Sequence, residues 1–102
     1  MPTLADQDSQ QCLLENRAIL VVDDEEPIRR LLGYMLQTHG YTVTLAGDAR
    51  EARQRINEQP YALMLCDVNM PGESGMDLVR NLLVEHPHTA AIMVTGLDSS
   101  VL

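Results

Sequence analysis

Lysine is absent from this sequence of 102 residues. All seven positively charged side chains are arginines, against fifteen aspartates and glutamates, and the formal net charge is −8 at pH 7. Nucleic acids and anionic membranes attract basic surfaces, so this balance argues against both as direct partners of the chain. It favours the binding of cations, or of basic patches on other proteins.

Cysteines and long apolar runs are also scarce. The two cysteines are Cys12, in a polar stretch, and Cys66, in a short apolar run where we expect a small buried hydrophobe. Neither has metal-ligand spacing, and nothing indicates a disulfide framework. No basic start leads into a long apolar segment, so we expect no signal peptide, no membrane span and a cytoplasmic location.

The length indicates one small domain, near the lower limit for a complete α/β fold. Residues 1–16 are rich in Gln, Asp and Ser, and we expect a flexible leader there. Residues 17–102 carry the apolar patterning of the folded domain. No internal repeat or low-complexity tract is evident.

The stretch ALMLCDVNMPGESG, residues 62–75, organises the rest of the chain. Its first five residues are apolar at every position, which is typical of a strand covered on both faces of a parallel sheet. The run stops at Asp67, and Pro71, Gly72 and Gly75 then force a loop. Asp67 should therefore lie at the carboxyl end of a central strand, where open α/β sheets place their sites.

A lone aspartate in this position would most often be a loop cap. A second acidic cluster changes that interpretation, because Asp23, Asp24 and Glu25 follow another apolar run, residues 18–22. Two acidic clusters at two strand ends suggest one shared site.

The pattern along the chain predicts the order β-α-β-α-β-α-β. The predicted strands are residues 18–22, 41–46, 62–66 and 90–94. The second strand alternates in polarity and should be peripheral. This order predicts a parallel sheet with right-handed crossovers.

Each predicted helix has a start signal and an apolar face. Pro27 suits the first turn of the first helix, Asp48 can cap the second, Ser74 can cap the third, and Gly40 can stop the first. The expected apolar positions are Ile28, Leu31, Leu32, Met35 and Leu36 in the first helix, Ala49, Ala52 and Ile56 in the second, and Met76, Val79, Leu82, Leu83 and His86 in the third. In the second helix Arg50, Glu51 and Arg53 should face outward.

Geometry brings the acidic residues together if the first and third strands are neighbours, as in the flavodoxin-like strand order 2-1-3-4. Asp23, Asp24 and Asp67 would then meet at one rim, where mutual repulsion favours a divalent cation such as Mg²⁺. Asp67 could accept a phosphoryl group as a nucleophile. Thr95, at the end of the next strand, is placed to donate a hydrogen bond to a phosphoryl oxygen.

Three motifs follow one another along the chain: AILVVDDEEPIRRLL, LMLCDVNMPGESGMDLV and AAIMVTG. Together they resemble the receiver domain of bacterial two-component response regulators, over about residues 17–96. The resemblance implies a flavodoxin-like, doubly wound parallel sheet with Asp67 as the phosphoacceptor. It implies Mg²⁺ on Asp23, Asp24, Asp67 and the backbone carbonyl of Asn69, with Thr95 as the switch hydroxyl.

The same resemblance implies the surroundings of the site and its partners. Met70, Pro71 and Gly75 match the loop that shapes the pocket wall. A receiver is phosphorylated by a sensor histidine kinase or a phosphotransfer protein, and it signals to an output domain or an effector. It is not an enzyme with an external substrate, and catalyses at most its own phosphoryl transfer and dephosphorylation.

The chain departs from the family pattern in two ways. Gly96 follows the switch hydroxyl where the family usually has Ala, a mild change. The larger departure is the end of the chain, where the fifth strand, its Lys, its aromatic switch residue and the fifth helix are not found. We therefore expect an incomplete receiver, slow to phosphorylate, that self-associates through the edge of its fourth strand or covers that edge with residues 97–102.

Two other functions remain possible on the sequence alone. A haloacid dehalogenase-type phosphatase also uses an aspartate at a strand end, but it needs a second Asp where Asn69 stands, and a catalytic Lys. A pseudo-receiver would keep the fold as an interaction or dimerisation module without phosphorylation. The missing Lys leaves that alternative open, although Asp23, Asp24, Asp67 and Thr95 are all present.

Overall fold

A computed structural model describes residues 16–70 and 72–94, and in them strands and helices alternate along the chain. The strands are β1 (Ala18–Val22), β2 (Thr42–Ala46), β3 (Leu63–Asp67) and β4 (Ala90–Val94). The helices are α1 (Glu26–Thr38), α2 (Ala49–Ile56) and α3 (Gly75–Glu85). The predicted element order is confirmed, with boundaries one residue off in β2 and β3.

The strands form one parallel sheet in the order β2-β1-β3-β4. β1 pairs with β2 on one side and with β3 on the other, and in the second pairing Val22 lies opposite Cys66. The predicted flavodoxin-like order 2-1-3-4 is therefore confirmed. It makes the carboxyl ends of β1 and β3 neighbours.

The helix termini follow the predicted signals. Asp48 caps α2, its Oδ1 accepting a hydrogen bond of 2.7 Å from the amide of Glu51. Ser74 caps α3, its Oγ accepting one of 3.2 Å from the amide of Asp77. Gly40 follows α1 with φ of 90°, the left-handed conformation that suits glycine at a helix end.

One face of the sheet carries the larger core, beneath α2 and α3. Leu20 of β1 and Met64 of β3 are fully buried there against Leu78 of α3. The predicted apolar face of α3 is partly wrong, since Leu78 is in the core and Met76 is 52% exposed. The face is rotated because α3 packs on the sheet through Leu78, Val79 and Leu82.

The other face carries α1, which packs on β1 and β2. Ile28 is buried, and α1 approaches β2 so closely at Gly33 that a Cβ there would lie 3.1 Å from the Leu45 side chain. On this face Leu63 and Leu65 of β3 are only half-buried. We predicted that β3 is covered on both faces. Among the described residues, only the face beneath α2 and α3 is fully covered.

Candidate functional site

Three carboxylates meet at the carboxyl ends of β1 and β3. Asp67 is the last residue of β3, and Asp23 and Asp24 directly follow β1. One carboxylate oxygen from each of the three residues lies within 4.8 Å of the others. The predicted convergence is thus observed, and it follows from the adjacency of the two strands.

Asp23 is held from three directions. Its backbone amide donates to the carbonyl of Ala46 at the end of β2, at 3.1 Å. Its Oδ1 accepts from the amide of Glu25 at 2.9 Å, and its carbonyl accepts from Nη1 of Arg29 at 2.8 Å. The side chain is only 2% exposed, so its direction is set by the protein rather than by solvent.

Asp67 has a similar local arrangement. Its Oδ1 accepts from the amide of Asn69 at 3.0 Å, and the residue is 6% exposed. Its backbone lies against the start of α3, where a Cβ added to Gly75 would stand 2.0 Å from the Asp67 carbonyl oxygen. No side chain larger than hydrogen fits there, so Gly75 allows α3 to begin beside the end of β3.

Electrostatics at the cluster penalise the ionised state. Burial is the largest cause that raises the pKa of Asp23, and the charges of Asp67 and Asp24 add to it, while the Glu25 amide opposes it. Burial also raises the pKa of Asp67, the Asn69 amide opposes this, and the charge and hydrogen bonding of Asp24 reinforce it. A cation at the rim would offset this penalty on Asp23 and Asp67.

The donor set fits a hard divalent cation. Carboxylate oxygens are the ligands that Mg²⁺ prefers, and Mg²⁺ commonly uses few protein ligands and keeps several waters. The neighbouring thiol of Cys66 is buried, and burial raises its pKa from 9.0 to about 12. It therefore stays neutral and packs as a small hydrophobe, as predicted, so it offers no soft ligand.

The remaining predicted site residues lie beside the cluster or outside the described part of the chain. Asn69 is exposed, and Met70 is buried in the hydrophobic core. Thr95, Gly96 and Pro71 lie outside the described residues, as do Cys12 and the stretches 1–15 and 97–102.

Sequence reasoning missed the contacts of two arginines, one at the acidic cluster and one to the loop that follows Asp67. Arg29 lies one turn into α1 and bonds the Asp23 carbonyl, and its position just after the acidic cluster was a usable signal. Arg53 was expected on a solvated face, but both of its terminal nitrogens donate to the Glu73 carboxylate. No local pattern marks that pair, because its members are twenty residues apart.

The three helices of the described residues lack the length and apolar character that a membrane crossing requires. Comparison with known proteins gives a sequence-family match over residues 19–101, to the response regulator receiver domain.

Two curated relatives match the same part of the chain. The uncharacterized transcriptional regulatory protein YkoG of Bacillus subtilis is 38% identical over 86 residues, which are 84% of this chain and 38% of YkoG. The response regulator protein PilR of Pseudomonas aeruginosa is 35% identical over 86 residues, which are 84% of this chain and 19% of PilR. The chain thus spans well under half the length of these relatives.

A solved structure gives the same result. The response regulator protein TrrA of Thermotoga maritima, in complex with Mg²⁺–BeF, has a TM-score of 0.75 and 34% identity, over 80% of this chain and 71% of that one. TrrA in complex with the histidine kinase ThkA has a TM-score of 0.74, 34% identity and the same coverage. The fold, the family match and these relatives agree, and the chain belongs to the family of response regulator receiver domains.

Proposed function

We propose that Asp67 is the phosphoacceptor of this receiver domain and that Mg²⁺ binds beside it. The metal ligands would be the carboxylates of Asp23, Asp24 and Asp67 and the backbone carbonyl of Asn69. The observation that carries the proposal is the approach of three carboxylate oxygens within 4.8 Å at the ends of two adjacent strands. TrrA, a relative with this fold, forms a complex with Mg²⁺–BeF, which supports the assignment.

In the proposed reaction a carboxylate oxygen of Asp67 attacks the phosphorus of the donor. A P–O bond to Asp67 forms, the bond from phosphorus to the donor breaks, and its electron pair leaves with the donor. The Asn69 amide holds the Asp67 carboxylate in a fixed direction, at 3.0 Å from Oδ1. Bound Mg²⁺ would neutralise part of the negative charge on the carboxylates and on the phosphoryl oxygens.

Thr95 completes the proposed switch, with its hydroxyl donating to a phosphoryl oxygen. The reaction would be the chain's own phosphoryl transfer and dephosphorylation, without an external substrate. We assign the leader to residues 1–16 and the receiver to residues 17–102. A cytoplasmic location is part of the same proposal.

The proposed phosphodonor is a sensor histidine kinase or a phosphotransfer protein. TrrA is seen in complex with the histidine kinase ThkA, which supports a kinase partner for this chain. The signal would pass to an output domain or an effector protein. The greater length of YkoG and PilR is consistent with such an additional part.

Phosphorylation by a small donor tests the assignment. The chain incubated with acetyl phosphate and Mg²⁺ should gain one phosphoryl group, acid-stable and base-labile, that maps to Asp67. Asp67→Ala should abolish it, and Asp77→Ala, on the exposed side of α3, should not. Uptake should be slow, because no lysine is present to balance the phosphoryl charge. A label on Ser74, or none after prolonged incubation, would contradict the proposal.

Self-association through β4 is a second proposal. β4 is the outer strand of the described sheet, and Ile92 on it is 51% exposed. Unpaired strand edges with exposed apolar side chains favour pairing between chains. The chain should sediment above its monomer mass at micromolar concentration, and Ile92→Lys should return it to the monomer. A cooperative wild-type monomer would refute this.

A further inference from the structure

Three contacts join the loop between Asp67 and α3 to β4, the core and α2, and the Gly75 amide of α3 also donates to the Val68 carbonyl at 3.3 Å. At the beginning of the loop the amide of Val68 donates to the carbonyl of Val94 in β4, at 2.9 Å. In its middle Met70 is buried in the core under α2 and α3. At its end Glu73 pairs with Arg53 of α2. The first two anchors are a backbone bond and an apolar contact, and the third is an ion pair.

The Arg53–Glu73 pair differs from the local ion pairs of the surface. Nη1 and Nη2 of Arg53 donate to Oε1 and Oε2 of Glu73, the parallel two-bond geometry that gives arginine–carboxylate pairs their directional strength. The pairs Arg30–Glu26, Arg55–Glu58 and Arg80–Asp77 join residues three or four apart. The Arg53–Glu73 pair joins two elements, with side-chain exposures of 40% and 26%.

We infer that Arg53 and Glu73 are positioning residues, which hold the described loop residues 68–70 and 72–74 so that Asn69 and Asp67 face the metal position together. The inference rests on the proposed function. Asn69 is exposed and lies between the first two anchors, Val68 and Met70, and the ion pair is at Glu73, beyond Met70. Without the pair, the Glu73 end of the loop loses its contact with α2, Met70 can shift with it, and the Asn69 backbone then moves relative to Asp67.

Arg53 and Glu73 carry opposite charges, so neutralising each one distinguishes a positioning role from a direct effect of charge on metal binding. If charge alone matters, Arg53→Gln removes a repelling cation and strengthens binding of a divalent metal, whereas Glu73→Gln weakens it. If the pair positions the loop, both substitutions weaken binding. The double variant R53Q/E73Q should then bind no worse than the weaker single variant, because the two residues act as one unit.

The measurement is Mn²⁺ affinity of the 102-residue chain by titration, together with thermal unfolding of each variant without metal. We expect Arg53→Gln and Glu73→Gln each to weaken Mn²⁺ binding by about three- to tenfold, below the usual 10–100-fold of residues that hydrogen-bond a metal ligand directly. The matched control is Arg55→Gln, on the same helix, and its Mn²⁺ affinity should equal that of the wild type.

Amide hydrogen exchange in the metal-free chain gives a second readout. The Asn69 amide donates to Oδ1 of Asp67 and the Gly75 amide donates to the carbonyl of Val68, and both amides should exchange faster in the Arg53 and Glu73 variants. Leu20, in the centre of β1, should not change.

Tighter Mn²⁺ binding by Arg53→Gln, or unchanged affinity and exchange in both variants, would overturn the inference alone. A wild-type chain that binds no Mn²⁺, or whose binding survives Asp67→Ala, would overturn the proposed function and this inference with it.

Discussion

At the end of β1 the Asp23 carboxylate accepts a bond from the amide two residues later, and at the end of β3 Asp67 does the same. We call residues 23–25 the first corner and residues 67–69 the second corner. Both place a buried aspartate at a strand end and turn the chain around its carboxylate. The same short-range hydrogen bond therefore orients both carboxylates.

The two corners are anchored in different ways. The first is fixed by the bond from Asp23 to Ala46 in the neighbouring strand and by the Arg29 side chain. The second has a similar backbone bond, from Val68 to Val94 in β4, but its further support is the close approach of Gly75 and an ion pair at the far end of its loop. We infer that the first corner is the more rigid, and that the second is where substitutions and conditions can shift the site.

The largest expected effect is at Gly75. Gly75→Ala places a Cβ 2.0 Å from the Asp67 carbonyl oxygen, so α3 must move away from β3. We expect a loss of about 3 kcal/mol in the free energy of unfolding, as for overpacking of a tight site. Urea denaturation is the measurement.

Gly72→Ala is the matched control in the same loop. Its φ of 82° is strained for alanine, but a Cβ there meets nothing within 4 Å, so the cost should be about 1 kcal/mol. Equal stability of Gly75→Ala and the wild type would show that α3 can shift without cost.

Arg29 tests the anchoring of the first corner. Arg29→Met removes the donor to the Asp23 carbonyl, and we expect a loss of about 1–2 kcal/mol from an unsatisfied, partly buried acceptor. The control is Arg30→Met, whose exposed pair with Glu26 should contribute less than about 0.5 kcal/mol. A difference below the error of denaturant melts would contradict the role given to Arg29.

Charge removal should stabilise the metal-free second corner. Asp67→Asn keeps an acceptor for the Asn69 amide while it removes a buried charge beside Asp24, so the free energy of unfolding should rise by about 1 kcal/mol. Mg²⁺ should raise the thermal midpoint of the wild type, chelation should reverse this, and the variant should respond to neither. Asp77→Asn, an exposed site, is the control. A destabilised Asp67→Asn chain would show that the carboxylate is not under repulsion.

The smallest effect concerns pH and the ion pair of the second corner. The hydrogen bond from Arg53 lowers the pKa of Glu73 below its ordinary value of 4.5. A group whose pKa is lowered by folding contributes stability above its unfolded pKa and loses it as the pH falls through the folded one. We call the difference in free energy of unfolding between the wild type and Glu73→Gln the stability gap. Because the pair is partly exposed, this gap should be below about 1 kcal/mol at pH 7.

This gap should close as the pH falls from 4.5 through the lower pKa of Glu73 in the folded chain, since the carboxylate is then protonated in both states. The Arg53→Gln gap should close over the same range, since the Glu73 carboxylate that pairs with Arg53 loses its charge there. Denaturant melts from pH 7 to pH 3 measure both gaps, and a Glu73 gap independent of pH would contradict the ion-pair account.

Much of the fold could be predicted from local patterns. Apolar runs identified four strands, and Asp48, Ser74 and Gly40 marked helix ends that the structure confirms. The errors arose where packing decides. Met76 matches the helical spacing but is exposed, because α3 meets the sheet through Leu78. Periodicity gives the width of an apolar face, but not its direction toward the sheet.

The sequence by itself determined where each acidic residue stands, at the end of an apolar run that must become a strand. It also determined the turns around Asp23 and Asp67, since a carboxylate needs only the amide two residues on to form them. Only the tertiary structure decided that β1 and β3 are neighbours, that Gly75 touches the Asp67 carbonyl, and that Arg53 reaches Glu73. Those contacts join residues far apart in the chain. Local sequence preferences specify strands, helices and turns, but they do not specify which distant residues become neighbours when the sheet forms.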